Sequence, residues 1–191
     1  MKNIFLNLSC ILGLSFGAFG QAPGLVIQGG VSTMYAKDNN ITKSNQAHYG
    51  YVVGADARLL DGDMYFIIGG QYHATSLAST SAPNFFTGND WKILMGRMGL
   101  GFNILTFGNN IALRSKLLAS INFTLDSPKG GLNIPDYMLV NDSSLGATTG
   151  IGITLGAIDV DLEYQYGFIN AYNKQPKSTF DIWTLVAGFH F

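Results

Sequence analysis

The chain has 191 residues, enough for one domain, yet only 12% are charged and the net charge is −1, about half the charge density of a soluble globular protein. So neutral a balance excludes the basic surface that nucleic acid or an anionic membrane face would require. After residue 20 no apolar run approaches the ~20 residues of a spanning helix, so a chain with 24 Gly, 13 Phe and 9 Tyr can cross a bilayer only as a closed β-barrel.

The first element is a leader. Lys2 supplies a positive charge, residues 4–16 form an apolar stretch interrupted by polar residues, Asn7 and Ser9 among them, and Ala18-Phe19-Gly20 sets small residues at a cleavage site before Gln21. Residues 1–20 are therefore expected to be a signal peptide and 21–191 the mature domain; an uncleaved N-terminal anchor is the alternative. Cys10 lies in the leader, and Asn7 is a poor residue for lipoprotein processing there. The mature chain then holds no cysteine, which removes disulfides and thiol catalysis from the expectation.

Eight alternating runs follow, at about 25–36, 48–60, 63–75, 91–104, 111–125, 145–155, 158–170 and 179–191. Each is long enough to cross a bilayer as a tilted strand. Short connections join them in pairs: Asp61-Gly62, read as a two-residue type I′ turn, Phe107-Gly108-Asn109-Asn110, and Gly156-Ala157. Long polar loops, 37–47, 76–90, 126–144 and 171–178, fall between the pairs. The expected fold is all-β: an eight-stranded antiparallel up-and-down transmembrane barrel with short periplasmic turns and long extracellular loops.

Strand parity assigns the faces. In the seventh run Ile158, Val160, Leu162, Tyr164, Tyr166 and Phe168 share one side, and Asp159, Asp161, Glu163 and Gln165 the other. Tyr35, Tyr49, Tyr51, Tyr72, Phe123, Tyr166, Phe168 and Trp183 all take the outward parity near the long-loop ends, as an aromatic girdle would. A secreted, lipocalin-like barrel with its apolar face inside is the competing fold. The final run sets Trp183, Leu185, Ala187, Phe189 and Phe191 on one face, and it must pair with 25–36 to close the barrel. Phe189 and Phe191 are the expected signal for the barrel-assembly machinery.

Inward parity collects Asp56, Arg58, Arg97, Arg114, Lys116, Asp159, Asp161 and Glu163, four groups of each sign. The Gly156-Ala157 turn sets Gly150 and Gly152 opposite Glu163 and Asp161, leaving room for a long cationic side chain to reach across. Eight strands enclose only enough space for side chains, so a balanced ion-pair network filling the lumen is expected over a conducting channel. His48 and His73, read as diagonal neighbours with His73 facing Gly50, are the candidates for catalysis, with Ser76 or Asp90 completing a site. No nucleophile elbow, HExxH or other metal-ligand spacing accompanies them, and no cofactor is implied. Loops 76–90, with Phe85-Phe86, and 126–144 carry exposed apolar residues suited to a lid or to a protein partner.

The segment 142–156 with its Gly150-Ile151-Gly152, the run Asp161-Leu162-Glu163-Tyr164-Gln165-Tyr166-Gly167, and the terminal Gly188-Phe189-His190-Phe191 together resemble the PorT-like outer-membrane β-barrel domain family of Bacteroidota. Residues 91–103 resemble its fourth-strand region, although Met95-Gly96 stand where a Pro is common. The resemblance implies an eight-stranded barrel of the outer membrane, embedded in its lipid, and a link to protein secretion; it implies no catalytic residues. The expected function is thus a non-enzymatic outer-membrane component, structural, adhesive or accessory, acting through its loops over a charge-plugged lumen. A narrow channel for ions or small solutes, and a lipid-modifying enzyme, are the alternatives.

Overall fold

The computed structural model describes residues 24–36, 49–60, 62–75, 91–107, 111–126, 141–170 and 179–191. Eight strands run β1 (Gly24–Ala36), β2 (Tyr49–Leu59), β3 (Met64–Thr75), β4 (Trp91–Phe107), β5 (Ile111–Asp126), β6 (Ser143–Leu155), β7 (Ile158–Gly167) and β8 (Phe180–His190). Each pairs antiparallel with the next, and β8 pairs with β1 from Val26↔His190 to Ala36↔Phe180, closing the barrel. Closure removes every sheet edge, so no strand is left with an unpaired ladder. The expected leader, residues 1–20, lies outside the described residues.

Alternation in the sequence becomes inside and outside in the barrel. Ile27, Leu117, Ile151, Leu162 and Leu185 stand exposed on the outer wall, whereas Asp56, Arg97, Arg114, Asp159, Asp161 and Glu163 are buried within it. This is the reverse of a soluble barrel, and it removes the lipocalin-like alternative, whose greasy face would point inward.

The β6–β7 connection follows the expected register, and the β4–β5 connection is one residue shorter than the expected Phe107–Asn110. Leu155 pairs with Ile158 across Gly156-Ala157, and Gly156 adopts a positive φ of 63°, the left-handed conformation such a turn demands. Phe107 pairs with Ile111, so the strands meet across a three-residue connection.

The β2–β3 connection departs from expectation. Leu59 pairs with Phe66, so the loop is wider than a two-residue Asp61-Gly62 turn, and Leu60 and Gly62 take positive φ of 72° and 127°. His73 consequently faces Val52 rather than Gly50. The slip is two residues, so parity survives and every side chain keeps its face.

Two register shifts in the β4–β5 pair also escape a reading by alternation. One lies between Asn103 and Leu105, so Ile104 is the extra residue of a bulge. Beyond it parity inverts: Leu105 and Phe107, which strict alternation would turn inward, are exposed on the wall. The bulge therefore carries β4 three residues past its expected end and adds an aromatic to the short-turn rim. The other shift, between Lys92 and Ile93, pairs Lys92 with Asp126 and brings both to the outer surface, where their side chains are 46% and 49% exposed.

Candidate functional site

The inward charges form one continuous ladder. Starting on β2, Asp56 accepts two bonds from Arg97, Nε at 2.9 Å and Nη2 at 2.5 Å. Arg97 Nη1 reaches Glu163 at 2.7 Å; Glu163 takes Lys116 Nζ at 2.5 Å; Lys116 lies 3.3 Å from Asp161. Arg114 Nη2 sits 3.1 Å from both Asp161 and Asp159, and Arg58 Nη2 closes on Asp159 at 2.7 Å. Cation and anion alternate at every step, and the path returns to β2 where it began. The fork-to-fork Arg97–Asp56 contact has the bidentate geometry of the strongest ion pairs.

Glycines make the ladder possible. Arg114 pairs with Gly152 and Gly152 with Asp161; Lys116 pairs with Gly150 and Gly150 with Glu163. In each row the cation on β5 passes over a glycine on β6 to its carboxylate on β7. A Cβ on Gly152 would run into the Asp161 carboxylate, so no larger residue can stand there without displacing the pair. The sequence reading anticipates these two rows and misses a third: Asp56 pairs with Gly69 and Gly69 with Arg97, linking β2 to β4 over β3 in the same way. Neutral polar groups add to the coordination. Gln28 donates to Asp56 at 3.1 Å, Gln71 to Glu163 at 3.2 Å, and Thr154 to Asp159 at 2.6 Å. Arg58 lies over the Tyr65 ring, 5.4 Å from its centroid, at the short-turn mouth.

Towards the long loops the lumen changes character. Met34, Trp91, Ile93, Met95 and Ile182 form a buried apolar cluster with Phe180 against it, the Trp91 and Phe180 rings meeting edge-on at 5.0 Å. A second cluster, Tyr65, Ile67 and Leu118, lies on the inward face as well. The sequence reading treats the inward face as polar and finds neither, although Trp91, Ile93 and Met95 share the parity of Arg97 and could have been recognised by it.

His73 is fully buried, and its Nε2 stands 3.0 Å from Gln71 Oε1. That oxygen can only accept, so Nε2 carries the proton. His73 is thereby the end of a relay of hydrogen bonds through Gln71 to Glu163. His48, Ser76 and Asp90, its expected companions, lie outside the described residues. Among the described residues no three His, Cys, Asp or Glu side chains are grouped to hold a metal.

Aromatics ring both ends of the outer wall. At the long-loop end Tyr49, Tyr51, Phe123, Tyr166, Phe168 and Trp183 are exposed, with Tyr72 partly so. Tyr51 meets Tyr72 at 6.3 Å, Tyr166 meets Phe168 at 5.6 Å, and Trp183 meets Tyr164 at 4.7 Å. Tyr35 lies in β1 opposite Asp181, and its side chain is outside the described set. At the short-turn end Phe102, Phe107, Phe189 and Phe191 form a lower belt that the sequence reading leaves unassembled. Phe189 and Phe191 pack edge-on at 4.9 Å, and Phe191 N–H donates to Leu25 O at 2.9 Å, tying the last residue to the first strand.

An eight-stranded antiparallel barrel, apolar outside and ion-paired inside, has the architecture of the small outer-membrane barrels. No family model and no curated protein sequence matches the chain. Among solved structures the fold is similar to that of Neisserial surface protein A, with a TM-score of 0.53 and 14% identity over 87% of this chain and 97% of that one. The attachment invasion locus protein Ail of Yersinia pestis also aligns, with a TM-score of 0.47 and 13% identity over 90% of this chain and 100% of that one. Its complex with the heparin analogue sucrose octasulfate gives 0.48 and 17% over the same shares. At these identities the likeness is one of fold.

Proposed function

We propose that this protein is an integral outer-membrane barrel that conducts nothing and catalyses nothing, and that it works through its long loops as a structural, adhesive or accessory component. The observation that carries the reading is the ladder from Asp56 to Arg58: its seven links span the lumen from β2 to β7 and neutralise every charge they bury. Side chains so paired fill the narrow interior of an eight-stranded barrel and leave no charged lining to attract ions. The outer-membrane location is supported by the exposed apolar wall with aromatics at both ends, and by the leader-like composition expected of residues 1–20. Membership of the PorT-like family, with its link to secretion, belongs to the same proposal and is supported by the Gly150/Gly152 hairpin and the Asp161–Gly167 strand.

Reconstitution of the purified protein in planar bilayers tests the closed lumen, and a flat current trace is the expected result. Steady ion-selective steps that change with Arg114→Ala would replace this reading with the narrow channel. Crosslinking in native outer membranes tests the accessory role, with a defined neighbour captured through loops 76–90 or 126–144 as the expected result. N-terminal sequencing of the membrane form should begin at Gln21.

A further inference from the structure

The ladder is divided along the chain in an unusual way. Among the described residues, β1 to β5 contribute Arg58, Arg97, Arg114 and Lys116 to the inner face against a single carboxylate, Asp56. Asp56 is taken by Arg97, a partner two strands away, so that pair can form within the first four strands. Three cations remain. Their partners, Asp159, Asp161 and Glu163, all stand on β7, at alternate positions of the shortest strand in the barrel. The inner faces of β6 and β8 carry no carboxylate among the described residues.

A sheet of β1 to β5 therefore presents an unpaired basic surface until β7 arrives, and β7 presents an acidic stripe of equal and opposite charge. We infer that β7 is an electrostatic latch: the basic half-barrel captures the acidic strand, and this capture sets the register and the rate of closure. Three properties favour a latch over a set of contacts that merely decorate the finished lumen. The attraction acts before desolvation, across water, where complementary surfaces raise encounter rates. The charges are segregated by strand and not interspersed, so neither half can satisfy itself. In the native register Asp161 and Glu163 share rows with Arg114 and Lys116 over Gly152 and Gly150, which leaves Asp159 for Arg58; a slip of two residues would either set Gln165 in the row of Lys116 or carry Glu163 beyond it.

The test is the salt dependence of folding of the full chain from urea into zwitterionic detergent or lipid vesicles, followed by the gel-mobility shift of the folded form. Raising NaCl from about 0.01 to about 0.5 M should slow wild-type folding about tenfold, because the latch attraction is screened. Unfolding should hardly respond, because the finished pairs are buried from salt. The Asp159→Asn/Glu163→Gln double variant should fold slowly at low salt and lose most of the salt slope, while Asp126→Asn on the outer wall keeps the wild-type slope. If the double variant does not fold, Asp159→Asn serves in its place, since of its two partners Arg58 sits at the mouth and can hydrate while Arg114 keeps Asp161; its slope should be visibly shallower. A wild-type folding rate independent of salt, a salt effect confined to unfolding, or an unchanged slope in the variants would each overturn the inference.

Discussion

Glu163 is the residue on which the lumen turns. It takes Arg97 on one oxygen and Lys116 on the other, with Gln71 adding a third donor, and it is 2% exposed. Removing one partner from such a group leaves its neighbours charged and dry, which costs more than the pair itself contributes. Glu163→Gln is expected to lower the free energy of unfolding by about 3 kcal/mol, read as a fall in the urea midpoint. The Lys92–Asp126 pair makes the contrast: both side chains are about half exposed, and Lys92→Ala should leave that midpoint in place. Glycines divide in the same manner. A Cβ on Gly69 would meet the Ala55 carbonyl and the Asp56 side chain, whereas one on Gly70 would meet only the Met95 carbonyl at 3.3 Å. Gly69→Ala should thus reduce the yield of folded barrel sharply, and Gly70→Ala only slightly, by the same gel-mobility assay.

At the scale of the strand, β8 has two tasks, pairing with β7 on one side and β1 on the other, and Phe191 ends it with a backbone bond to Leu25 and a ring against Phe189. Deleting Phe191 removes both contacts, and with them the aromatic residue proposed as the signal to the assembly machinery. The expected result is a lower level of inserted barrel in cells, measured by the heat-modifiable fraction in outer membranes; unchanged insertion would show that the terminal aromatic is not read. Much of this element-level picture is legible from the sequence, because a period of two survives any slip by two residues. That is why Asp56, Arg58 and His73 keep their faces although Leu60 and Gly62 open a wider turn than Asp-Gly suggests. The Ile104 bulge is illegible by the same rule: one extra residue inverts the parity, and nothing in Asn103-Ile104-Leu105 announces it. Cross-lumen partners are a further step away. Arg97 meets Glu163 through the fold, 66 positions along the chain, and only closure brings them together. The apolar cluster around Trp91 and Ile182 was within reach of parity, but an expectation of a wholly polar interior passes over it.

Taken as one body, the barrel sets its ion pairs, with the Tyr65–Ile67–Leu118 cluster beside them, towards the short turns, and the apolar cluster around Trp91, beside buried polar groups such as His73 and Thr75, towards the long loops. This filling agrees with a wall that serves as a scaffold for whatever the loops engage. The spacing of the two aromatic belts carries a separate consequence. From Trp183 to Phe191 the wall spans eight residues, about 26 Å of strand, and a tilt of roughly 40° reduces this to about 20 Å along the membrane normal. A hydrocarbon layer thicker than that distance leaves the rings of one belt below the headgroups, at a cost that grows with each ångström of mismatch. Vesicles of short-chain lipid should accept the protein faster and more completely than those of long-chain lipid at equal temperature. The belts would thus act as a gauge of bilayer thickness, directing the barrel to the thinnest membrane available to it.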